Sequence, residues 1–366
     1  MDEARLASLR AELSELDRTL LEMLARRTQL SLDIGREKQR LGRGTRDFAR
    51  EKVVLDAARQ QAERFGLPTH LVERIVILLI ETSLSAQEKD RVALTARGDG
   101  LAALVIGGAG KMGRWFVTFL AAQGYNVIVM DPAGHVPNTT QCTHWSDLTE
   151  RIDLVVVATP LKLSNTVLQD LAASPLPHAP LIFDIASLKS PLQEGLTALK
   201  QAGQRVTSIH PMFGPDTDLL SGQHIAFCDV GVPEATHAAR ALFDDTMAGQ
   251  VEVDLQTHDQ LMAVVLGLSH ALNLSFNEAL MHSGVDLSTL NGLASTTFAA
   301  QLAVSRRVAG ENPALYYEIQ HENPYGQAAL QSLRAAVQSL EDASQATTPD
   351  KFYEMMRASE RWLDAP

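Results

Sequence analysis

The feature that most restricts the fold is the segment LVIGGAGKMGRWF at residues 104–116. The apolar residues before the glycines predict a buried strand, and those after them predict an amphipathic helix. Between the two lies Gly108-x-Gly110-x-x-Gly113, the pattern of a tight turn whose backbone approaches a dinucleotide pyrophosphate at a helix N-terminus. The sequence therefore predicts a doubly wound α/β (Rossmann) domain.

A second predicted strand, YNVIVMD, ends at Asp131. An acidic side chain at this place accepts hydrogen bonds from the adenosine ribose and repels a 2′-phosphate, which favours NAD over NADP. The alternative for Asp131 is an ordinary turn acid at the end of a strand. Further predicted strands, DLVVVATP, LIFDIAS and RVTSIHPMFGP, end near Thr159, Ser187 and His210. Ligands of doubly wound sheets bind at these carboxyl ends.

His210 is one of eleven histidines, and a lone histidine is usually structural. Its position between a strand end and the turn PMFGP makes it a candidate catalytic residue. After about residue 255 only helical patterns follow, which predicts an all-α C-terminal domain suited to dimer packing. Arg307 ends one of these helices and could equally interact with the helix dipole.

About a hundred residues precede the glycine turn. Apolar residues at 6, 9, 13, 16, 20 and 23 predict one helix running to about Leu41. Its length of roughly 50 Å exceeds that of a compact domain of this size, so we expect a dimer that shares the helix. Arg27 occupies an apolar position of the repeat, and Lys38 lies on the same face. Arg10 points elsewhere, and a partner protomer's pocket is one possible destination. The alternative is an arginine that extends to solvent at the edge of a coiled coil.

Two more helices are predicted, one near RDFAREKVVL and one over LVERIVILLIETSLSAQ. Two acids and a base share a face of the first helix, and two neutral hydrogen-bonding side chains share a face of the second. These residues are Asp47, Arg50, Glu51, Ser83 and Gln87. The module supplies cations, acids and neutral donors, but no nucleophile beside a base. Taken alone, such a set is typical of a solvated surface.

Composition limits the class of ligand. Basic and acidic residues are equal in number over the first ninety residues, so the net charge of −12 arises after them. The basic residues alternate with acids instead of clustering, which favours a small anion over nucleic acid. No apolar run suits a membrane span, and the N-terminal segment does not resemble a signal peptide, so a cytoplasmic protein is expected. The two cysteines form no CxxC or His/Cys cluster, so we expect neither a disulfide nor a metal site.

Residues 5–90 resemble the all-helical class of chorismate mutase through LR at 9–10, LLEMLARR, IGREK, RDFARE and SLSAQ. The resemblance implies that Arg10 of one protomer and Arg27 of the other hold the two carboxylates of chorismate. It assigns Lys38 and Gln87 to the ether oxygen and Asp47 and Glu51 to the ring hydroxyl, with Arg50 and Ser83 completing the site. The rearrangement to prephenate transfers no proton, so fixed cations that stabilise charge on the breaking C–O bond suffice.

Residues 101 to about 360 resemble prephenate dehydrogenase through GGAGKMG, DIASLKS, HPMFGP, HDQLMA and NPALYYEIQHENPYG. The resemblance implies that His210 takes the proton of the ring hydroxyl as hydride leaves for NAD, that Ser187 orients this pair and that Arg307 holds a carboxylate. One departure is Ala299, where some relatives carry another arginine. The implied cofactor-binding residues are Gly108, Gly110, Lys111, Met112, Gly113, Asp131 and Thr159.

Together these patterns predict a chorismate mutase domain at 1–90, a linker at 91–100, an NAD-binding domain at 101–255 and a helical substrate-binding and dimerisation domain at 256–366. The expected function is bifunctional, with both steps belonging to tyrosine biosynthesis in a homodimer. Two alternatives stay open: a dehydrogenase that acts on arogenate, and a helical module that is a non-catalytic dimerisation or regulatory arm. Feedback by tyrosine is a further expectation, and the resemblance links His270 and Tyr316 to it.

Overall fold

The computed structural model describes residues 2–365. The chain forms two compact units. The first contains the chain up to Thr159 together with Asp170–Ile185 and Leu199–Glu252, and the second contains Pro160–Gln169, Ala186–Ala198 and the chain from Val253 onward.

The first unit begins with three helices: α1 (Asp2–Arg40), α2 (Phe48–Phe65) and α3 (Thr69–Thr95). The long first helix confirms the periodicity argument. In a single chain α1 leaves its apolar stripe uncovered: the side chains of Leu13 and Leu20 are 59% and 62% exposed. The predicted linker at 91–100 needs correction, because α3 continues to Thr95. No glycine or proline interrupts the sequence between Pro68 and Gly98, so nothing ends the helix earlier.

An eight-stranded sheet follows in the order β3-β2-β1-β4-β5-β6-β7-β8. The first six strands pair in parallel, and β7 pairs antiparallel with β6. The 3-2-1-4-5-6 order is that of a dinucleotide-binding Rossmann sheet. The strands are β1 (Ala102–Ile106), β2 (Asn126–Met130), β3 (Thr140–Gln141), β4 (Leu154–Val157), β5 (Leu181–Asp184), β6 (Arg205–Pro211), β7 (His224–Cys228) and β8 (Gly249–Val253).

The central strands are buried along their whole length, as expected of a parallel sheet covered on both faces. Val105, Val156 and Phe183 of the sheet form one core with Phe116 and Phe243, and all five are inaccessible to solvent. The helices that alternate with the strands are α4 (Lys111–Ala122), α5 (Leu161–Ala173), α6 (Gln193–Gln201) and α7 (Pro233–Ala241).

From Leu255 onward the described chain is helical, which agrees with the expectation for this region. A π-helical turn, Ala263–Leu268, joins the first two of these helices, and Gln320 Nε2 donates to the Gly267 carbonyl inside it at 2.7 Å. No helix within residues 2–365 is both long and apolar enough to cross a membrane. The helices are α8 (Leu255–Met262), α9 (Ser269–His282), α10 (Leu287–Gly292), α11 (Thr296–Ala309), α12 (Pro313–His321), α13 (Gly326–Gln345) and α14 (Asp350–Leu363).

Candidate active sites

The cation in the α1 seam lies against α3. Arg27 Nη1 donates to the Leu79 carbonyl at 2.7 Å and to Ser83 Oγ, and Ser83 Oγ donates to the same carbonyl at 2.7 Å. Arg27 is therefore held in one position by two neutral oxygens, with no carboxylate among these partners to neutralise it. The structure brings together Arg27 and Ser83, which are far apart in sequence.

Gln87 is buried between α3 and α1. Its Nε2 donates to the carbonyl and hydroxyl oxygens of Ser31 at 2.8 and 2.7 Å, whereas Oε1 has no hydrogen-bond partner among the described residues. A Cβ on Gly35 would lie 2.8 Å from Gln87 Cγ, so glycine is needed for this approach. An unpaired buried acceptor is costly, and a ligand hydroxyl is one group that would satisfy it. Sequence reasoning missed Ser31 and Gly35, although their i, i+4 spacing of small residues was the available signal.

The end of α1 and the start of α2 supply the remaining polar groups of the helical module. Lys38 Nζ donates to the Thr45 carbonyl at 2.7 Å. Glu51 accepts two hydrogen bonds from Arg46, each of 3.0 Å, and this arginine was also missed. Asp47 caps α2 by accepting from the Arg50 backbone N–H at 3.0 Å, and both residues are exposed.

Arg10 is exposed on α1. Seventeen residues separate it from Arg27 on the same helix, a distance of about 25 Å along the axis. The two arginines of one α1 cannot contact the same small molecule. Joint binding of the two substrate carboxylates by Arg10 and Arg27 is thus not possible within one chain.

The glycine turn is tightly packed at several of its glycines. Gly107 adopts φ 84°, and a Cβ there would lie 2.6 Å from the Ala158 carbonyl oxygen. A Cβ on Gly113 would collide with the Gly107 carbonyl oxygen. Gly110 is the N-cap of α4, and Lys111 and Met112 are its first two residues. Gly107 is the position that sequence reasoning missed, because the spacing pattern starts one residue later.

Asp131 lies beside this turn. Its Oδ2 accepts from the Ala109 N–H at 2.9 Å and its Oδ1 from the Ala133 N–H at 2.8 Å. The carboxylate therefore stabilises the turn, and each of its oxygens keeps a second lone pair that can accept from a ligand hydroxyl. Thr159 follows β4 by two residues, as expected of a group at the carboxyl end of a strand.

His210 is the next-to-last residue of β6 and faces Ala226 across the β6–β7 pair. Its side chain is 5% exposed. The strand-end position predicted for it is present, within the unit that carries the glycine turn.

Ser187 lies in the second unit, in a segment fixed by Asp259. The Asp259 carboxylate accepts from the backbone N–H groups of Lys189 and Ser190, at 2.9 and 2.7 Å, and lies 2.8 Å from His258 Nδ1. Burial by itself would raise the pKa of Asp259, but the hydrogen bonds from His258, Ser190 and Lys189 lower it below its ordinary value. The HDQLMA motif thus has a structural role that sequence reasoning did not assign.

Arg307 lies in the last turn of α11 and is exposed, as is Ala299 two turns earlier. In the same unit the rings of His270 and Tyr316 stack at 4.0 Å. His270 Nδ1 is buried with no partner among the described residues, and burial lowers the pKa of this histidine despite the opposing charge of Glu311.

Three family models match this chain in succession. Residues 9–88 match chorismate mutase type II, 138–247 match the prephenate dehydrogenase nucleotide-binding domain, and 254–358 match the prephenate dehydrogenase dimerization domain. The T-protein of Enterobacter agglomerans is 30% identical over 86% of this chain and 82% of its own length. The chain belongs to the T-protein family.

A second T-protein, from Haemophilus influenzae, is 26% identical over 90% of this chain and 84% of its own length. Membership in the T-protein family confirms the predicted resemblance and the order of its modules. The glycine turn precedes the matched nucleotide-binding range, so its assignment rests on the structure and on its own residues.

Solved structures support the fold of the dehydrogenase part. A. aeolicus prephenate dehydrogenase in complex with hydroxyphenyl propionate and NAD+ has a TM-score of 0.57 at 17% identity, over 72% of this chain and 98% of its own. Synechocystis arogenate dehydrogenase has a TM-score of 0.56 at 19% identity, over 71% and 98%. The predicted fold class is confirmed, and the fold does not distinguish the two substrates.

Proposed function

We propose that this chain catalyses two consecutive reactions, the rearrangement of chorismate to prephenate and the NAD-dependent oxidative decarboxylation of prephenate to 4-hydroxyphenylpyruvate. The observation that carries this proposal is the succession of one mutase and two dehydrogenase regions in a single chain. Both steps then belong to tyrosine biosynthesis.

For the first reaction, the helical module offers fixed cations instead of an acid–base pair. Arg27, held by Leu79 and Ser83, binds one carboxylate of the substrate, and Lys38 contacts the ether oxygen whose bond breaks. Gln87 is assigned to the same oxygen, which requires its NH2 group to turn from Ser31 toward the substrate. Charge that grows on this oxygen is stabilised by groups that are already oriented, so little reorganisation is needed. Asp47 and Glu51 receive the ring hydroxyl, with Arg50 beside them.

The second carboxylate needs Arg10 of another copy, since the two arginines of one helix are too far apart. The uncovered apolar stripe of α1 is the surface on which such a copy packs. The match to a dimerization domain at 254–358 supports the same assembly. We therefore assign a homodimer with composite mutase sites.

For the second reaction, the glycine turn fits NAD. Gly108 and Gly113 lie too close to neighbouring protein atoms to carry a Cβ, which keeps the turn tight. Gly110 caps α4 with no side-chain cap among the described residues, so a pyrophosphate would bind at this helix end, which Lys111 and Met112 begin. Asp131 would hold the adenosine ribose, and Thr159 would contribute at the nicotinamide. When bound, NAD accepts the hydride.

His210 accepts the proton of the ring hydroxyl, and the family resemblance assigns the orientation of this pair to Ser187. Arg307 binds a carboxylate of prephenate. Loss of CO2 makes the ring aromatic, which drives the step, so these side chains mainly align donor and acceptor. Because Ala299 provides no second cation, we expect Arg307 to carry more of the binding of that carboxylate.

Purified protein should consume chorismate without cofactor and should form NADH from prephenate and NAD. A protein with neither activity would overturn the proposal. The arogenate alternative is tested by comparing kcat/KM for the two substrates, and a larger value for arogenate would replace prephenate in the second step. A chain that forms NADH but leaves chorismate intact would make the helical module a non-catalytic arm.

Tyrosine feedback and a cytoplasmic location remain predictions. The stacked pair of His270 and Tyr316, with an unpaired buried Nδ1, is the feature that supports an aromatic ligand in the second unit. An inhibition curve should fall as tyrosine is added, and a curve that stays flat to millimolar tyrosine would remove this proposal.

A further inference from the structure

The β6–β7 loop, residues 212–223, starts two residues after His210 and is bound by the helical module. Glu88 of α3 is only 4% exposed. Its Oε2 accepts from the Leu220 N–H at 2.9 Å, and its Oε1 accepts from the Met247 N–H. A buried carboxylate of the mutase helix thus binds two backbone groups of the nucleotide-binding sheet region.

Arg46 forms a second link to the same loop. Its Nε and Nη2 donate to the Glu51 carboxylate at 3.0 Å each, while Nη1 donates to Ser221 Oγ. Because the guanidinium is planar and its donors are fixed, Glu51 and Ser221 cannot move independently while these bonds persist.

The nucleotide-binding side holds the loop as well. Trp115 of α4 donates from Nε1 to the Thr217 carbonyl at 3.1 Å, and its ring centroid lies 5.0 Å from that of Phe213. The Met212 N–H donates to the His224 carbonyl at 2.9 Å. The loop between His210 and β7 is therefore held on both sides.

We infer that Glu88 and Arg46 are positioning residues shared by both reactions. Glu88 directly follows Gln87 on α3, and Arg46 binds Glu51, so each link runs from the loop after His210 to a neighbour of a residue assigned to the mutase site. This inference rests on the proposed roles of Gln87, Glu51 and His210. Neither Glu88 nor Arg46 is assigned a contact with a substrate.

The test is Glu88→Gln in the full-length chain. Glutamine keeps the volume and one acceptor oxygen, but its NH2 group faces the second backbone N–H instead of accepting from it. We expect the KM values for chorismate and for prephenate each to rise roughly fivefold, as for the loss of one hydrogen bond. The KM for NAD should not change, because the glycine turn is untouched.

Two further variants sharpen the test. Glu88→Asp keeps the charge but is one methylene shorter, and should restore part of the loss by retaining one N–H. Glu81→Gln removes an exposed carboxylate from the same helix and should leave all three KM values unchanged.

A purely structural role would reduce the active fraction and lower kcat with all three KM values unchanged, which would overturn the inference. A rise in only one of the chorismate and prephenate KM values would also overturn it. If Glu88→Gln fails to fold by circular dichroism, Ser221→Ala replaces it, with an expected rise of about twofold in both values; no change would contradict the inference. Absence of both reactions in the unmodified protein would instead overturn the proposed function.

Discussion

The helical module and the nucleotide-binding sheet lie in one compact unit, yet they differ in how they are completed. The sheet buries Val105, Val156 and Phe183 fully within a single chain. Helix α1 leaves more than half of the Leu13 and Leu20 side chains exposed. Apolar area in water is unfavourable at about 25 cal/mol per Å2, so the helix needs a partner surface that the sheet does not.

The two sites differ in the same way. The glycine turn and Asp131 are assembled within one chain, whereas the proposed mutase site needs Arg10 and Arg27 from two chains. On the proposed assignment, cofactor binding depends on local backbone geometry, and the mutase site depends on assembly. The following substitutions test this difference.

The largest expected effect is at His210. His210→Asn should lower the dehydrogenase kcat roughly a thousandfold, because general base catalysis is lost, and should leave chorismate turnover intact. Rates of NADH formation and chorismate consumption are measured on the same sample. His237→Asn on the exposed face of α7 is the matched control. Equal loss of both activities in a folded protein would contradict the assignment.

Lys38→Ala should have the reverse selectivity. Removal of a fixed cation beside the breaking bond should lower mutase kcat/KM by roughly 100-fold or more, with dehydrogenase activity retained. Lys52→Ala removes an exposed lysine of α2 and controls for charge. Unchanged mutase activity in Lys38→Ala would exclude this lysine from the site.

A charge in the apolar stripe should separate assembly from cofactor binding. Leu13→Lys places an ammonium on the surface where a second α1 packs, so mutase activity should fall at least about tenfold as Arg10 leaves the partner's site. NAD binding, followed by fluorescence titration, should not change. Ser14→Lys introduces the same charge beside the stripe, at an exposed position of α1, and should be mild. A dissociated chain with full mutase activity, shown by sedimentation, would refute the composite site.

Gly107→Ala tests the glycine turn. A left-handed conformation costs an alanine about 1–2 kcal/mol, and its Cβ would also press on the Ala158 carbonyl. The KM for NAD should rise by about tenfold, with chorismate turnover unaffected. The positive-φ Gly203, which has open space around it, is the control position: Gly203→Ala should affect stability alone. An unchanged KM for NAD in Gly107→Ala would place the cofactor elsewhere.

The smallest effect concerns pH. Burial lowers the pKa of His270 in the folded protein, so its stabilising contribution is present above the unfolded pKa of about 6.5 and is lost as pH falls through the folded value. His270→Phe keeps a ring against Tyr316 and cannot be protonated. The Tm of the unmodified protein should therefore fall more steeply below pH 6.5, by about 2 °C or less relative to the variant. Parallel curves would contradict a buried neutral imidazole.

Much of the fold could be predicted because its signals are periodic. The spacing of apolar residues predicted α1, and the glycine spacing with its flanking strands predicted the doubly wound fold, whereas the strand order comes from the structure. Local signals failed where a contact joins distant segments. Gly35 is needed only because Gln87 approaches it, and Arg46 has a role only because Glu51 and Ser221 lie on either side. The predicted linker at 91–100 overlaps the last residues of α3. A polar sequence does not by itself end a helix, and this one continues to Thr95, shortly before Gly98.

The unbroken course of α3 to Thr95 has a consequence for engineering. Because the helix continues from one catalytic module toward the next, each residue inserted into it rotates the following chain by about 100° and advances it by about 1.5 Å. A spacer inserted near Val92 therefore cannot keep Glu88 on the Leu220 and Met247 N–H groups, whatever its angular phase, because it also displaces the helix along its axis.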